Sequence, residues 1–176
     1  MELPVDLMQL SHEADQVFQG VCQSKRYENF VTPDTGETIP VVIYTFKTKD
    51  WIKGDPKETV EVKQLSAKSR GEAMRLGFLG LYDPITLDVG KDYLLFLTAP
   101  SKWGFQFTVG SNQGRFKVEK DGQGKSVVIN GSGNRGLFEG ISQSKSLGKS
   151  EQAVVEAPPG PVSYDDFTSL VKKALQ

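Results

Sequence analysis

DQVFQGVCQSKRYENF, residues 15–30, decides the architecture. It reads as one long strand in which Val17, Gln19, Val21 and Gln23 take one face and Phe18, Gly20 and Cys22 the other. A glycine in mid-strand weakens pairing unless the chain bends or another backbone approaches closely there. Gly20 therefore marks a bulge or sharp bend, the device by which one strand serves two sides of a barrel.

Further strands follow from the same alternation. TPDTGE (32–37) is a turn cluster, TIPVVIYTFKTKDW (38–51) a second long strand, and TVEVKQL (59–65) a third strand with one wet face. The stretch 66–90 breaks the rhythm; only AMRLGFLGL within it has helical spacing, so it reads as a long connection with one helical turn. GKDYLLFLTA (90–99) is almost continuously apolar, which places it at the centre of a sheet. WGFQFTVG, RFKVEK and KSVVIN are shorter strands separated by glycine-rich turns, and a meander is the natural topology. On this reading Phe105 and Phe107 share a strand face and belong to the core.

Residues 131–161 are rich in Gly, Ser, Lys and Pro without a sustained period, and read as loop or tether. Order returns in VSYDDFTSLVKKALQ, where Phe167, Leu170, Val171, Ala174 and Leu175 form one helical stripe. Ser163 and Asp166 stand at capping-box spacing, Val162 and Phe167 at staple positions, and both lysines near the C-terminal end. A short helix is also expected at 5–14. The whole is a single domain over 1–176: mainly β with flanking helices, an OB-like antiparallel β-barrel over about 13–130, the tether, and a docking helix at 163–175.

Composition excludes several functions. Net charge is −1, so no global field draws the protein to nucleic acid or anionic lipid. Residues 111–150 are locally basic, with seven basic against three acidic side chains, which fits a solvated set of turns. No apolar run approaches the roughly 20 residues of a membrane span. Cys22 cannot form an internal disulfide and reads as a buried small hydrophobe. The N-terminus lacks the basic and apolar regions of a signal peptide, which fits either a cytosolic protein or a mature form that has lost its leader.

Two nucleotide-like motifs lie in EKDGQGKSVVINGSGNRG (119–136). GQGKS has Glu119 where a phosphate loop needs its first glycine, and Val127-Val128-Ile129 follows where a helix should start. Gly131, Gly133 and Gly136 spell G-x-G-x-x-G, yet the residues after it make a poor helix and no further β-α units build a crevice. The stretch is therefore a hairpin, turning near Asp121-Gly122, and the loop leaving it. No nucleotide and no other cofactor is expected.

Catalytic types are sparse. His12 is the sole histidine, placed on the short first helix, and no nucleophile-elbow sequence is present. One His and one Cys leave no zinc spacing. Asp83, Asp88, Asp92, Asp165 and Asp166 could pair as acid and base, though Asp165 and Asp166 already suit the first turn of the last helix. What remains is aromatic surface: Trp51, Phe78, Tyr82 and Trp103 are the candidate partner-binding residues, with Trp103 and the 77–82 loop the best placed for exposure.

EADQVFQGVCQS, WIKG, GKDYLLFL, SNQGRFKV and the C-terminal DF-x-x-LVKKAL resemble a group of exported bacterial proteins, and the overall pattern is similar to netrin-like and tissue-inhibitor-of-metalloproteinase barrels of OB type. The resemblance covers most of residues 13–119 and the last helix. It implies the barrel and export. The metalloproteinase inhibitors act through an N-terminal cysteine whose amine reaches the metal; here the chain reads Met1-Glu2-Leu3, so that mechanism is not carried over. The expectation is a non-enzymatic, exported barrel that binds a protein or peptide; the alternatives are a single-stranded nucleic-acid-binding module and a carboxylate-dependent hydrolase.

Overall fold

The structure is a computed structural model that describes residues 3–66, 69–75 and 86–176. Its strands are β1 (Gln16–Val31), β2 (Thr38–Lys53), β3 (Thr59–Leu65), β4 (Asp92–Leu97), β5 (Arg115–Lys120), β6 (Ser126–Asn130) and β7 (Val162–Ser163). Its helices are α1 (Leu7–Glu13), α2 (Arg70–Arg75), α3 (Ile141–Ser144), α4 (Lys149–Glu156) and α5 (Tyr164–Ala174). All seven strands form one antiparallel sheet in the order β3-β2-β1-β4-β5-β6-β7. Two meanders are thus joined through the β1–β4 pair. The end strands β3 and β7 do not pair with each other, so the sheet is open; a single parallel bridge links Lys63 of β3 to Phe105.

β1 is irregular where the sequence places a bend. Its register against β2 shifts between Val17 and Phe18, between Gln19 and Gly20, and between Cys22 and Ser24. A Cβ on Gly20 would lie 2.8 Å from the Lys47 carbonyl oxygen, so close backbone approach rather than unusual φ demands the glycine. Alternation of successive side chains lets β1 face two cores. Val17 joins a cluster with Leu94 and Phe96 of β4, Phe116, Val128 and the helices; Phe18 and Cys22 join Val42, Tyr44, Phe46, Val60, Val62, Tyr93 and Leu95 on the other side. β4 is buried on both faces, as its continuous apolar run requires, and lies in the middle of the sheet.

The helical face is sealed by α5. The Ser163 hydroxyl accepts from Asp166 N at 3.3 Å; the Asp166 carboxylate turns instead to the Ser150 hydroxyl at 2.7 Å, so only one arm of the expected box forms. The Phe167 ring sits 4.7 Å from Phe116, 6.2 Å from Phe96 and 6.4 Å from Phe138, centroid to centroid. Leu170, Val171 and Ala174 complete a fully buried stripe. α1 closes the same core through Leu7 and Leu10, with a reciprocal cap between Asp6 and Gln9.

Residues 131–161 differ from the expected tether. They form turns and the helices α3 and α4, with Leu137 and Ile141 fully buried. Polar contacts invisible to periodicity hold them. Asn134, at φ 62°, donates to the carbonyls of Val128 (3.1 Å) and Gly160 (2.8 Å) and accepts from Asn130 N (2.9 Å). Glu151, almost wholly buried, accepts from Gly148 N and the Ser169 hydroxyl, both at 2.8 Å, and from the Lys173 ammonium, which pins α4 to α5. The phosphate-like stretch is the expected hairpin: β5 and β6 pair antiparallel, and Asp121 Oδ1 accepts from Gln123 N (2.8 Å) and Lys125 N (2.9 Å) across the turn.

The WGFQFTVG segment also departs from expectation. It makes isolated bridges, Phe105 to Lys63 and Thr108 to Leu97, instead of a continuous ladder. Period-two alternation therefore does not govern its side chains: Phe105 is buried, whereas Phe107 is 45% exposed.

Candidate functional site

Beside the rings that fill the two cores, a third aromatic group converges on the outer face of β1–β2–β3, opposite the Phe18–Tyr44 core. Val42, Tyr44 and Val62 point inward; their neighbours Val41, Ile43 and Leu65 point out and carry Phe30, Trp103 and Phe105. The Phe30 ring is 5.4 Å from Phe105, edge-on, and 5.9 Å from Trp103. Such pairs add about 0.5–1.5 kcal/mol each beyond burial.

Two loops frame this face. In the β1–β2 turn, Thr32 N donates to Glu37 O and Gly36 N to Thr32 O, with Gly36 at φ 72°. In the other, Gly104 at φ 85° donates to Ser101 O, and the Ser101 hydroxyl accepts from Phe105 N at 3.1 Å. Both turns need a residue with positive φ where glycine stands. Lys102 of the second loop reaches Asp34 of the first at 2.9 Å. Both side chains are largely exposed, so this tie contributes little to stability.

Lys63 has a different environment. Its ammonium lies 4.1 Å from the Phe30 centroid and 4.9 Å from that of Phe105, and its carbonyl accepts from Gln106 N at 3.0 Å, which fixes the backbone beneath it. Lys102 lies 5.0 Å from the Trp103 centroid. The face is thus three rings with two ammonium groups on them.

Of the residues singled out from sequence, Trp103 belongs to this face and is half-buried. Trp51 does not. It lies about 30 Å further along β2, tilts on Phe18 at 5.0 Å, packs against the inner core and donates its indole N–H to Lys57 O at 3.0 Å. Phe78 and Tyr82 lie outside the described residues. Phe30 and Lys63 escaped the sequence reading, although the alternation of TVEVKQL sets Lys63 opposite Val60 and Val62.

Several polar groups elsewhere are engaged. Asp92 accepts from Gln19 Nε2 (3.1 Å) and Lys49 (3.0 Å). Asp50 accepts from the Tyr164 hydroxyl at 2.7 Å; burial, then this carboxylate, drives the phenol well above the usual tyrosine range. The Cys22 thiol is buried, and burial raises its pKa. His12 is exposed on α1. Asp83 lies outside the described residues. Among the described residues no group of three or more His, Cys, Asp or Glu side chains is placed to hold a metal ion, and no helix is long and apolar enough to cross a membrane. A groove of about 380 Å³ runs between Leu137–Phe138, Val154–Val155 and the Pro158–Pro161 strap; Asn134 at its base already has its hydrogen bonds. No family model matches the chain, and no curated protein is significantly similar to it.

Proposed function

We infer that the protein is a non-enzymatic β-barrel module that binds a protein or peptide on the Phe30–Trp103–Phe105 face. The carrying observation is the convergence of three rings from β1 and the 101–105 loop onto one outer sheet face, with half-buried Trp103 among them. Aromatic side chains that combine large apolar area with few rotamers are the usual anchors of an interface.

An OB-type, netrin-like barrel suits the strand arrangement. Closing such a barrel requires β3 to gain a second neighbour, and the parallel bridge from Lys63 to Phe105, in the segment between β4 and β5, supports that reading. The β2–β3 outer face and its flanking loops then form the ligand surface. Export from a bacterium rests on the resemblance of the strand and helix sequences.

Single-stranded nucleic acid is the competing ligand, since rings interleaved with lysines make a stacking platform. The basic excess of residues 111–150, however, is carried by β5, the turn after it and the segments after β6, none of which contributes to this face. An array of short random peptides, probed with the wild-type chain and with Trp103→Ala, tests the reading. Peptides retained by the wild type and released by the variant are expected. Equal retention by both refutes the site, and salt-sensitive retention of oligothymidylate in their place selects the competing ligand.

A further inference from the structure

The chemistry of this face specifies more than an aromatic anchor. Arg26, which shares the outer face of the β1–β2–β3 hairpins, is held by Glu28 at 2.9 Å and Glu61 at 3.3 Å, and Lys102 by Asp34. Lys63 has no carboxylate partner among the described residues. Lys63 is half-buried, its ammonium rests on the faces of Phe30 and Phe105, and Gly104 leaves open the space beside it. An ammonium partly stripped of water and held by ring quadrupoles alone keeps most of its capacity for an anion.

The main chain nearby is also sparsely paired among the described residues. β3 pairs with β2 on one side, but on the other it makes only the Lys63–Phe105 bridge among the described residues. An exposed strand edge with so little pairing suits an added extended segment.

We propose, on the basis of the reading above, that the ligand is an extended peptide segment bearing a carboxylate side chain next to an apolar one. The carboxylate pairs with Lys63 Nζ, and the apolar neighbour lies on Trp103. One unpaired cation matches one carboxylate; a nucleic-acid strand would need a row of cations for successive phosphates, and here Lys102 and Arg26 are already engaged. Rings on either side exclude water and strengthen the single pair.

The test uses the peptide array with wild type, Lys63→Met and Lys63→Arg. Methionine keeps the stem over the rings while removing the charge, and thermal melts of both variants check that they fold. Wild type is expected to retain peptides enriched in Asp or Glu beside an apolar residue. Replacing that acid by its amide should weaken binding about tenfold or more for wild type and for Lys63→Arg, and leave Lys63→Met unchanged. Retained peptides with no acidic preference, or a preference that survives Lys63→Met, overturn this proposal while the aromatic face stands. Retention of no peptide at all removes the face itself, and Lys63-dependent retention of oligothymidylate overturns both.

Discussion

Replacing Gly20 by alanine should destabilise the protein, although strand propensity argues the reverse. Gly20 has ordinary negative-φ backbone, and at such a position alanine normally stabilises by about 0.4–1 kcal/mol by restricting the unfolded chain. Here the added methyl would meet the Lys47 carbonyl oxygen at 2.8 Å, and the Lys47 carbonyl carbon and Thr48 Cα at 3.3 Å, all backbone. Neither strand can yield alone: β2 is pinned to β3 by the Thr59–Leu65 ladder, and β1 to β4 over Gln16–Val21. Separation on the order of half an ångström would restore contact distance, and overpacking of this kind costs about 1–3 kcal/mol. Urea unfolding should therefore show a lower midpoint at unchanged slope. Gly122→Ala, at the hairpin tip with nothing within 4 Å, is the matched control and should be neutral or slightly stabilising. A Gly20→Ala protein as stable as the control would refute the claim that close approach of β2 fixes this residue.

Two other perturbations test the C-terminal half. Phe167→Ala removes the ring that Phe96, Phe116 and Phe138 surround, and should cost about 3–5 kcal/mol, lowering Tm by roughly 10 °C for a domain of this size; a shift of only a degree or two would mean that α5 is not part of the core. Lys173, bonded to Glu151, holds that carboxylate below the ordinary glutamate range near about 4.3. A depressed folded pKa means that the contribution is complete above that range and fades as pH falls through the folded value. Glu151→Gln should cost about 1.5–3 kcal/mol at neutral pH, with the two melting curves converging in acid; a difference independent of pH would refute the ion-pair account.

Much of this architecture is legible in sequence because its period is local. Alternation in β1, β2 and β3, the unbroken apolar run of β4, the Asp121-Gly122 turn and the stripe of α5 each report an environment within a few residues. The aromatic face is not local. Phe30, Lys63 and Phe105 meet through strand register across distant segments, and neither their spacing nor their composition sets that register. Trp51 and Trp103 looked alike as isolated aromatics, yet one is satisfied against Phe18 and Lys57 O while the other joins the face. The segment containing α3 and α4 misled for a further reason. Its order comes from Asn134 and Glu151 hydrogen bonds and two buried side chains, which a search for apolar periodicity does not register.

The placement of α5 has a consequence for how the chain matures. Leu94, Phe96, Phe116 and Val128 lie on a sheet face that α5 covers together with α1 and the Leu137–Ile141 segment, and α1 itself touches α5. As the polypeptide emerges from the ribosome, every strand is available before that cover exists. The sheet then presents an apolar wall to solvent until Phe167 and Leu170 have been synthesised, and a chain at this stage is prone to association with its neighbours. Stable folding is thereby deferred until α5 has been synthesised, and a chain stalled near Gly160 should be held by chaperones or lost to proteolysis rather than accumulate as a smaller native form.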